Sequence, residues 1–387
     1  MLRPAVGTRI RVLRIIARMN IGGPAVQISG LLHNLDKNTF EQVLITGECE
    51  IGEIDYLKNT GSELEATYIV GLGRSVKFWG DIKSFVTLCR LIRQFKPDII
   101  HTHTAKAGVL GRIAGLIASP HAARIHTFHG HLLSGYFGRV KLALVILIEK
   151  LLALISHTLL TVGKKVRDDL VTAGIGKIDQ YQIISPGLEF KKSGISEVEA
   201  QFNRKSPGSV TCFFVGRVTK VKRLDRLIDV ARKIQFNQLN IEIVIVGDGP
   251  LLAELQFISQ TENLPVQFLG WQLNVESIMN LADMVVITSD NEGTPLSLIQ
   301  AGVAGKPVVA TRVGSVEEIV QNGITGIVCE LNTDSIFEAI KTLAEDPKLR
   351  ILMGVNAKKF CLENFTAERL ASDLADLYSR IFHEKNG

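Results

Sequence analysis

SDNEGTPLSLIQAGVAGKPVVAT, residues 289–311, is the stretch on which the fold turns. It leaves the apolar run DMVVIT, passes a turn holding Glu292 and Gly293, continues as an apolar helix-length segment, and enters a second run, KPVVAT. Strand, turn, helix and strand in this order build a parallel sheet. Thr294 is expected as the helix N-cap and Pro295 as the first helical residue. A helix N-terminus would then stand at the C-terminal edge of a strand. The free N–H groups of residues 293–296 would face an anion, with the helix dipole in support. Glu292 adds an acceptor suited to a hydroxyl-rich ligand. On local chemistry alone, an ordinary capped turn reads equally well. Gln300 stands eight positions after Glu292, one turn beyond Leu296 on the same helix face.

The same alternation runs outward along the chain. IRVLRIIARM, EQVLITG, ATYIVGL, DIIHTHT and ARIHTFHG read as strands in the first half. VTCFFVGR, IEIVIVGDG, VQFLGW, KPVVATRVG and TGIVCE do so in the second. GDIKSFVTLCRLIRQF and LDRLIDVARKIQF are helical patterns between them. Strands that are apolar throughout and alternate with helices imply parallel sheets covered on both faces. With 387 residues, two doubly wound α/β domains are expected. The polar, Pro- and Gly-punctuated segment 186–209 marks the break: a domain at 1–188, a second at 207–365, and an amphipathic helix at 366–387 that packs back toward the first. Ligands of such sheets sit beyond the C-terminal strand ends, so a cleft between the domains is the expected site.

Composition narrows the class. Hydrophobic residues make up 46% and charged residues 21%, which fits a globular chain. The five cysteines form no CxxC pair, which points to a reducing compartment rather than a disulfide framework. Residues 1–190 hold 23 Lys and Arg against 15 Asp and Glu; the remainder holds 21 against 24. The basic half suits anionic lipid or an anionic acceptor. No basic cluster interleaved with aromatics points to nucleic acid. No signal peptide is evident at the basic N-terminus, whose apolar runs Arg11, Arg14 and Arg18 break. Residues 140–162 are apolar but interrupted by Glu149 and Lys150, too short to span a bilayer. They read as a buried helix followed by a strand, or as a helix lying on a bilayer surface.

In the second half, Gly216 and Arg217 follow a strand, and Lys222 comes five residues later. Two cations on one loop can clamp a diphosphate. Gly247-Asp248-Gly249-Pro250 then ends a strand in a tight turn. Gly216-Arg217, Lys222, Gly247-Asp248-Gly249-Pro250, Glu292-Gly293-Thr294-Pro295 and Pro307-Val308-Val309-Ala310-Thr311, in this order, resemble glycosyltransferase family 4, the retaining transferases of GT-B fold. The resemblance covers essentially the whole chain. It implies a nucleotide-diphosphate sugar held by the second domain, with UDP the expected carrier. Arg217 and Lys222 would hold the diphosphate and stabilise its departure. Glu292 would bind hydroxyls of the transferred sugar, and amides of Gly293, Thr294 and Leu296 around Pro295 would support sugar and phosphate. The base would lie near Gly270-Trp271-Gln272. No metal and no cofactor are expected, and no DxD element stands beside the phosphate loops. The family usually has a glutamate where Gln300 stands, accepting from the ribose. Glutamine keeps one acceptor oxygen and loses the charge, which implies weaker donor binding rather than a dead site.

In the first half, Gly22 and Gly23 lie between a strand and a helix, where the backbone can approach a phosphate or sugar. Six of nine histidines fall at 101, 103, 121, 126, 129 and 131. A metal cluster is disfavoured, with no cysteine near and no carboxylate between Asp98 and Glu149. His101 and His103 share a strand face. HTFHG resembles the family's strand-end histidine motif. His129 is its matching position, implied to sit by the anomeric carbon and the acceptor. HTHTAKAGVLGR and HTFHGHLLSGYFG resemble a bacterial subgroup that builds surface polysaccharides on lipid-linked acceptors. This places His103, Lys106 and His129 on the acceptor side, with peripheral membrane contact at the inner face of the cell membrane. A nucleotide-sugar 2-epimerase of the same fold and a non-catalytic nucleotide-sugar-binding subunit are the competing readings.

Overall fold

The computed structural model describes residues 9–59, 64–130, 138–190, 202, 204, 206–272 and 274–386. The chain forms two compact units, Met1–Glu189 with Phe365–Gly387, and Phe190–Asn364.

In the first unit the described strands are β1 (Ile10–Ile16), β2 (Phe40–Thr46), β3 (Thr67–Tyr68), β4 (Ile99–His103), β5 (Ala123–Phe128), β6 (Thr158–Thr161) and β7 (Tyr181–Ile183). They pair in parallel in the order β3-β2-β1-β4-β5-β6-β7. Its helices are α1 (Gly23–Asn34), α2 (Tyr56–Asn59), α3 (Phe78–Phe95), α4 (Ala105–Ala118), α5 (Arg139–Leu154) and α6 (Lys164–Thr172). β4 and β5 are buried along their whole length. That burial on both faces is why they read as unbroken apolar runs. Right-handed crossovers put α3, α4 and α5 in one layer on one sheet face.

In the second unit β8 (Val210–Val215), β9 (Ile241–Val246), β10 (Val266–Gly270), β11 (Met284–Ile287), β12 (Val308–Thr311) and β13 (Gly326–Cys329) pair in the order β10-β9-β8-β11-β12-β13. Here the helices are α7 (Leu224–Phe236), α8 (Leu252–Thr261), α9 (Val275–Leu281), α10 (Leu296–Val303), α11 (Val316–Ile319), α12 (Thr333–Glu345) and α13 (Pro347–Asn364). Cys212, Phe214, Ile243, Ile245 and Val286 pack with Leu227, Val230 and Ile234 of α7 and with Ile336 and Ile340 of α12. In both sheets the strand order reverses beside the first strand, β1 next to β4 and β8 next to β11. Loops leaving those pairs open the crevices where such sheets take ligands.

The last helix, α14 (Ala367–Asn386), belongs to the first unit. Leu370, Leu374, Leu377 and Ile381 join Ile10, Val12, Leu31, Leu35 and Phe40 in one buried cluster. The chain enters this helix through a backbone clasp: Leu188 N–H donates to Phe365 O at 2.9 Å, and Ala367 N–H to Leu188 O at 2.9 Å. A Cβ on Gly187 would stand 2.3 Å from Thr366 O, so only glycine allows the approach.

One local reading differs from the structure, and of the two offered for 140–162 the buried one falls. Of ATYIVGL only Thr67–Tyr68 is strand. The chain then turns at Gly71, whose φ is +91°, and Ser84 Oγ donates to Val70 O at 3.0 Å, drawing the segment onto α3. The helix in 140–162 is not buried. Its one acid, Glu149, turns inward to Arg112 of α4 at 2.7 Å, which leaves Val140, Leu144, Leu147, Leu151 and Leu154 exposed on the opposite side. Among the described residues no helix is long and apolar enough to cross a membrane. All five cysteines are free thiols.

Candidate functional site

In the second unit, β11 delivers Thr288 and Ser289, both fully buried, into the turn that carries Glu292. Three backbone-directed bonds fix this turn. Thr311 Oγ1 donates to Ser289 O at 2.7 Å, Asp290 N–H to Val221 O at 2.9 Å, and Thr288 Oγ1 to Lys222 O at 2.8 Å. The last two join the Glu292 turn to the loop after β8. Arg226 of α7 adds an ion pair to Asp290 at 2.7 Å and a bond to Thr288 O at 2.9 Å. Arg223, in left-handed backbone at φ 50°, also reaches Asp290, at 2.9 Å.

That scaffold sets Lys222 Nζ 2.5 Å from Glu292 Oε1, while Ser289 Oγ donates to the same oxygen at 2.6 Å. Glu292 is 7% exposed. The lysine and glutamate, read separately from sequence, are therefore partners. Arg217 differs: it is exposed, and its guanidinium has no hydrogen-bond or ion-pair partner among the described residues.

Gly247 and Gly249 position that arginine. A Cβ on Gly247 would lie 1.9 Å from Gly216 O, and one on Gly249 would lie 2.3 Å from Val218 O. Gly247 also has φ +141°. The Gly-x-Gly-Pro turn is thus the bed on which the Gly216–Val218 backbone rests, and Val218 N–H donates to Asp248 O at 2.9 Å.

Helix α10 begins one residue later than expected. Pro295 is its N-cap at φ −72° and ψ 106°, Leu296 its first residue, and no side chain caps it. Proline has no N–H to leave unmet at the cap. The N–H groups of the first turn remain outside the helix ladder, as at any N-terminus. Thr294 lies in the approach to that cap, and Gly293 O accepts from Ser315 N at 3.2 Å. Gln300 is half-buried on the next turn. Gln272 spends its amide on Leu269 O at 2.8 Å, beside Trp271 and the left-handed Gly270 at φ +64°.

In the first unit, β4 and β5 carry the histidines. Arg14 Nη1 donates to Tyr378 Oη at 2.9 Å, and His101 Nδ1 lies 2.6 Å from Tyr378 Oη and 3.3 Å from Arg14 Nη1. Guanidinium has no lone pair to offer, so His101 Nδ1 must accept. Its proton then sits on Nε2, which donates to Thr127 Oγ1 at 2.7 Å. His103 stacks on His101 with ring centroids 4.2 Å apart, and its Nδ1 lies 2.9 Å from His129 Nε2. His103 Nε2 and His129 Nδ1 are buried without partners among the described residues. Burial holds His101, His103 and His126 well below the usual imidazole range and pushes His129 down to about 4. The His103–His129 bond is therefore neutral, with a single proton between the two nitrogens. A cavity of about 30 Å³, room for one water, is lined by Gln27, His101, His103, Thr127 and His129 among others.

The remaining candidates sort plainly. Gly22 is the residue before α1, and a Cβ there would meet nothing nearer than Asn20 O at 3.9 Å. Neither packing nor backbone strain requires that glycine, and Gly23 opens the helix itself. Lys106 is engaged within its own unit: its ammonium binds Asp81 at 2.5 Å, Gly71 O at 2.7 Å and Ser75 O at 2.5 Å. Two hydrogen bonds and one ion pair make Lys106 a tie between α4 and the start of α3. His121 sits beside Ser119 Oγ at 3.2 Å, and His131 lies outside the described residues. Among the described residues no three His, Cys, Asp or Glu side chains converge as a metal-holding set. Sequence reading missed Arg14 and Tyr378. An arginine at an inward position of the apolar run IRVLRII was the available signal for the first; nothing local marks the second.

The pattern described as Glycosyltransferase Family 4 matches residues 21–191, and that described as Glycosyl transferases group 1 matches residues 196–360. The chain is 28% identical over 338 residues to a UDP-Gal:alpha-D-GlcNAc-diphosphoundecaprenol alpha-1,3-galactosyltransferase of Escherichia coli, covering 84% of this chain and 85% of that one. It is 24% identical to a capsular polysaccharide biosynthesis glycosyltransferase of Staphylococcus aureus, covering 87% and 92%. Its fold is similar to that of Anabaena HepE solved with UDP and glucose, at TM-score 0.77 and 19% identity, over 96% of this chain and 100% of that one. A sucrose-phosphate synthase from Thermosynechococcus elongatus shares it too, at TM-score 0.81 and 17% identity, over 97% and 100%. With its two matched halves, its paired parallel sheets and the ordered loops just described, the chain belongs to glycosyltransferase family 4 and is a glycosyltransferase of GT-B fold.

Proposed function

We propose that this enzyme transfers a sugar, with retained anomeric configuration and without a metal, from a UDP-sugar to a lipid-linked saccharide in bacterial surface-polysaccharide synthesis. The observation that carries the reading is the 2.5 Å Lys222–Glu292 pair at the head of α10, with the unpartnered Arg217 on the same loop as Lys222. The pair gives a pyranose both an acceptor and a charged donor. Arg217 and the first N–H groups of α10 face a diphosphate with a forked cation and a partial positive charge. The acceptor hydroxyl attacks the anomeric carbon from the face the diphosphate leaves. The C1–O bond to phosphate breaks, and the hydroxyl proton passes to the departing phosphate oxygen. Charge grows on the diphosphate, where Arg217, Lys222 and α10 stabilise it electrostatically. Gln300 serves the ribose and Gly270-Trp271-Gln272 the base. Gly22 and Gly23 admit backbone close to the substrates. His103 and His129 form the polar end of the acceptor-side unit, where a neutral imidazole can orient a hydroxyl. The name of the Escherichia coli relative supports a lipid-linked acceptor, and that of the Staphylococcus aureus relative supports surface-polysaccharide synthesis; a peripheral membrane contact would follow from such an acceptor.

The test is to incubate purified enzyme with a panel of nucleotide sugars and bacterial membrane extract, then to identify the product lipid and its anomeric configuration. An α-linked product from an α-linked donor, formed in chelator, is expected. Inversion, loss of turnover in chelator, or a nucleotide sugar altered with no acceptor present would overturn the reading; the last would favour the epimerase.

A further inference from the structure

The exposed apolar side of α5 is ordered. Val140, Leu144, Leu147, Leu151 and Leu154 recur at intervals of three and four, which on a helix gives one straight stripe roughly 20 Å long. Val140 is 85% and Leu154 81% exposed. At about 100° per residue, Arg139 and Lys150 fall on one flank of the stripe and Lys141 on the other, each about 80–100° from its centre. All three are exposed.

A second stripe lies in the same helix layer. On α3, Phe78, Trp79, Ile82 and Val86 are exposed, at 71%, 79%, 42% and 61%, and the two aromatic rings meet edge to face at 5.2 Å. Lys83 and Arg90 stand beside them in solvent. Between the two helices runs α4, rich in Gly and Ala, which exposes Leu116 and Ile117. Ion pairs lock the layer: Lys106 of α4 to Asp81 of α3 at 2.5 Å, and Arg112 of α4 to Glu149 of α5 at 2.7 Å. Those two acids are the only ones on α3, α4 and α5. Both are spent on internal cations, so the outer face carries apolar side chains and unopposed positive charge.

We infer that the α3–α4–α5 layer is the surface by which this enzyme lies on an anionic lipid bilayer. The stripes enter the boundary between headgroups and acyl chains, while Lys and Arg on their flanks meet lipid phosphates. Trp79 sits where tryptophan is favoured, at the membrane–water interface. A protein partner would be expected to answer some of this face with its own acids; a bilayer answers all of it with one repeated chemistry. The inference deepens the lipid-linked acceptor reading and rests on it for its purpose. Vesicle binding needs no sugar substrate, so the two fail separately.

The experiment is flotation of the full chain with phosphatidylcholine vesicles, with and without phosphatidylglycerol. Wild-type enzyme is expected to float at least ten-fold better with phosphatidylglycerol, and added salt should reduce the difference. Leu144→Glu with Leu151→Glu should cut flotation at least ten-fold. Lys141→Glu with Lys150→Glu should remove only the phosphatidylglycerol-dependent part. Tryptophan emission should shift to the blue on vesicles, and Trp79→Phe should abolish the shift. Circular dichroism and UDP-sugar binding should stay unchanged in all variants, which separates lost docking from lost folding. Equal flotation with both lipids, or full flotation of the double Leu variant, would overturn the inference. So would a wild-type dimer in solution that the Leu variant converts to monomer, since the face would then belong to a second copy.

Discussion

Arg217 and Lys222 stand on one loop, yet their surroundings separate what their loss should do. Arg217 is exposed and unpartnered, so Arg217→Ala should leave thermal stability within about 0.5 kcal/mol of wild type. It should still lower kcat/KM by roughly 10²-fold, the size usual for removing one charged stabiliser of a departing group. Lys222→Ala should lower transfer at least as far, and should also destabilise the second unit by about 1–3 kcal/mol. It takes the cation away from Glu292, which is 7% exposed and keeps the bond from Ser289. A calorimetric scan beside a rate assay reads both. Gln300→Glu should leave kcat unchanged and lower donor KM several-fold, because it restores a charged acceptor to a half-buried place one turn into α10. A rise in kcat from near zero would mean that Gln300 controls the chemical step.

Gly247 shows how an element can act on a site that it does not touch. Gly247→Ala would drive a methyl onto Gly216 O, 1.9 Å away, and would force a side chain into φ +141°. The Gly216–Val218 backbone must then lift. The expected result is a donor affinity at least ten-fold weaker, read by titration with UDP, with the first unit unaltered. The sequence places a tight turn there but gives no sign that the turn supports a neighbouring loop. The strands were legible for a physical reason, since burial on both faces demands unbroken apolar runs. β3 was the exception: an edge position lets Gly71 and the bond from Ser84 pull the chain away after two residues. Pattern also left α5 open between a buried helix and a surface one, because a helix apolar on one side and basic on its flanks has the composition of a core helix. The missing datum was Glu149, whose inward bond to Arg112 fixes which side faces out. For Lys106 the sequence shows a cation near two histidines; it cannot show that three oxygens already hold it.

At the scale of the whole molecule the buried histidines make the first unit sensitive to acid. His101, His103 and His126 are 1–3% exposed, and burial keeps them neutral well below the usual imidazole range. Their folded-state pKa values are depressed, so the stability tied to them is present above about pH 6.5 and is lost as pH falls below it. In that window the unfolded chain binds protons that the folded unit refuses. Each such residue changes stability by up to ~1.4 kcal/mol per pH unit. The melting temperature of the first unit should therefore fall between pH 6.5 and 5 while that of the second, which holds none of these histidines, moves little. Differential scanning calorimetry across that range tests it, and two transitions falling in parallel would contradict it. The same cluster explains a long-range blind spot. Arg14 and Tyr378 are 364 positions apart, and only the return of α14 brings the phenol to the arginine.

That return also sets a schedule for biosynthesis. The second unit is continuous, Phe190–Asn364, whereas the first lacks Leu370, Leu374, Leu377 and Ile381 of its core until the ribosome has made the whole second unit and passed it. At ~5–20 residues per second, the intervening stretch takes on the order of 10–35 s to emerge. Throughout that interval the nascent first unit presents Ile10, Val12, Leu31, Leu35 and Phe40 to whatever is near. The later-synthesised unit can complete its fold first, and the earlier one must be sheltered, by chaperones or by its own partial collapse, until α14 has been made.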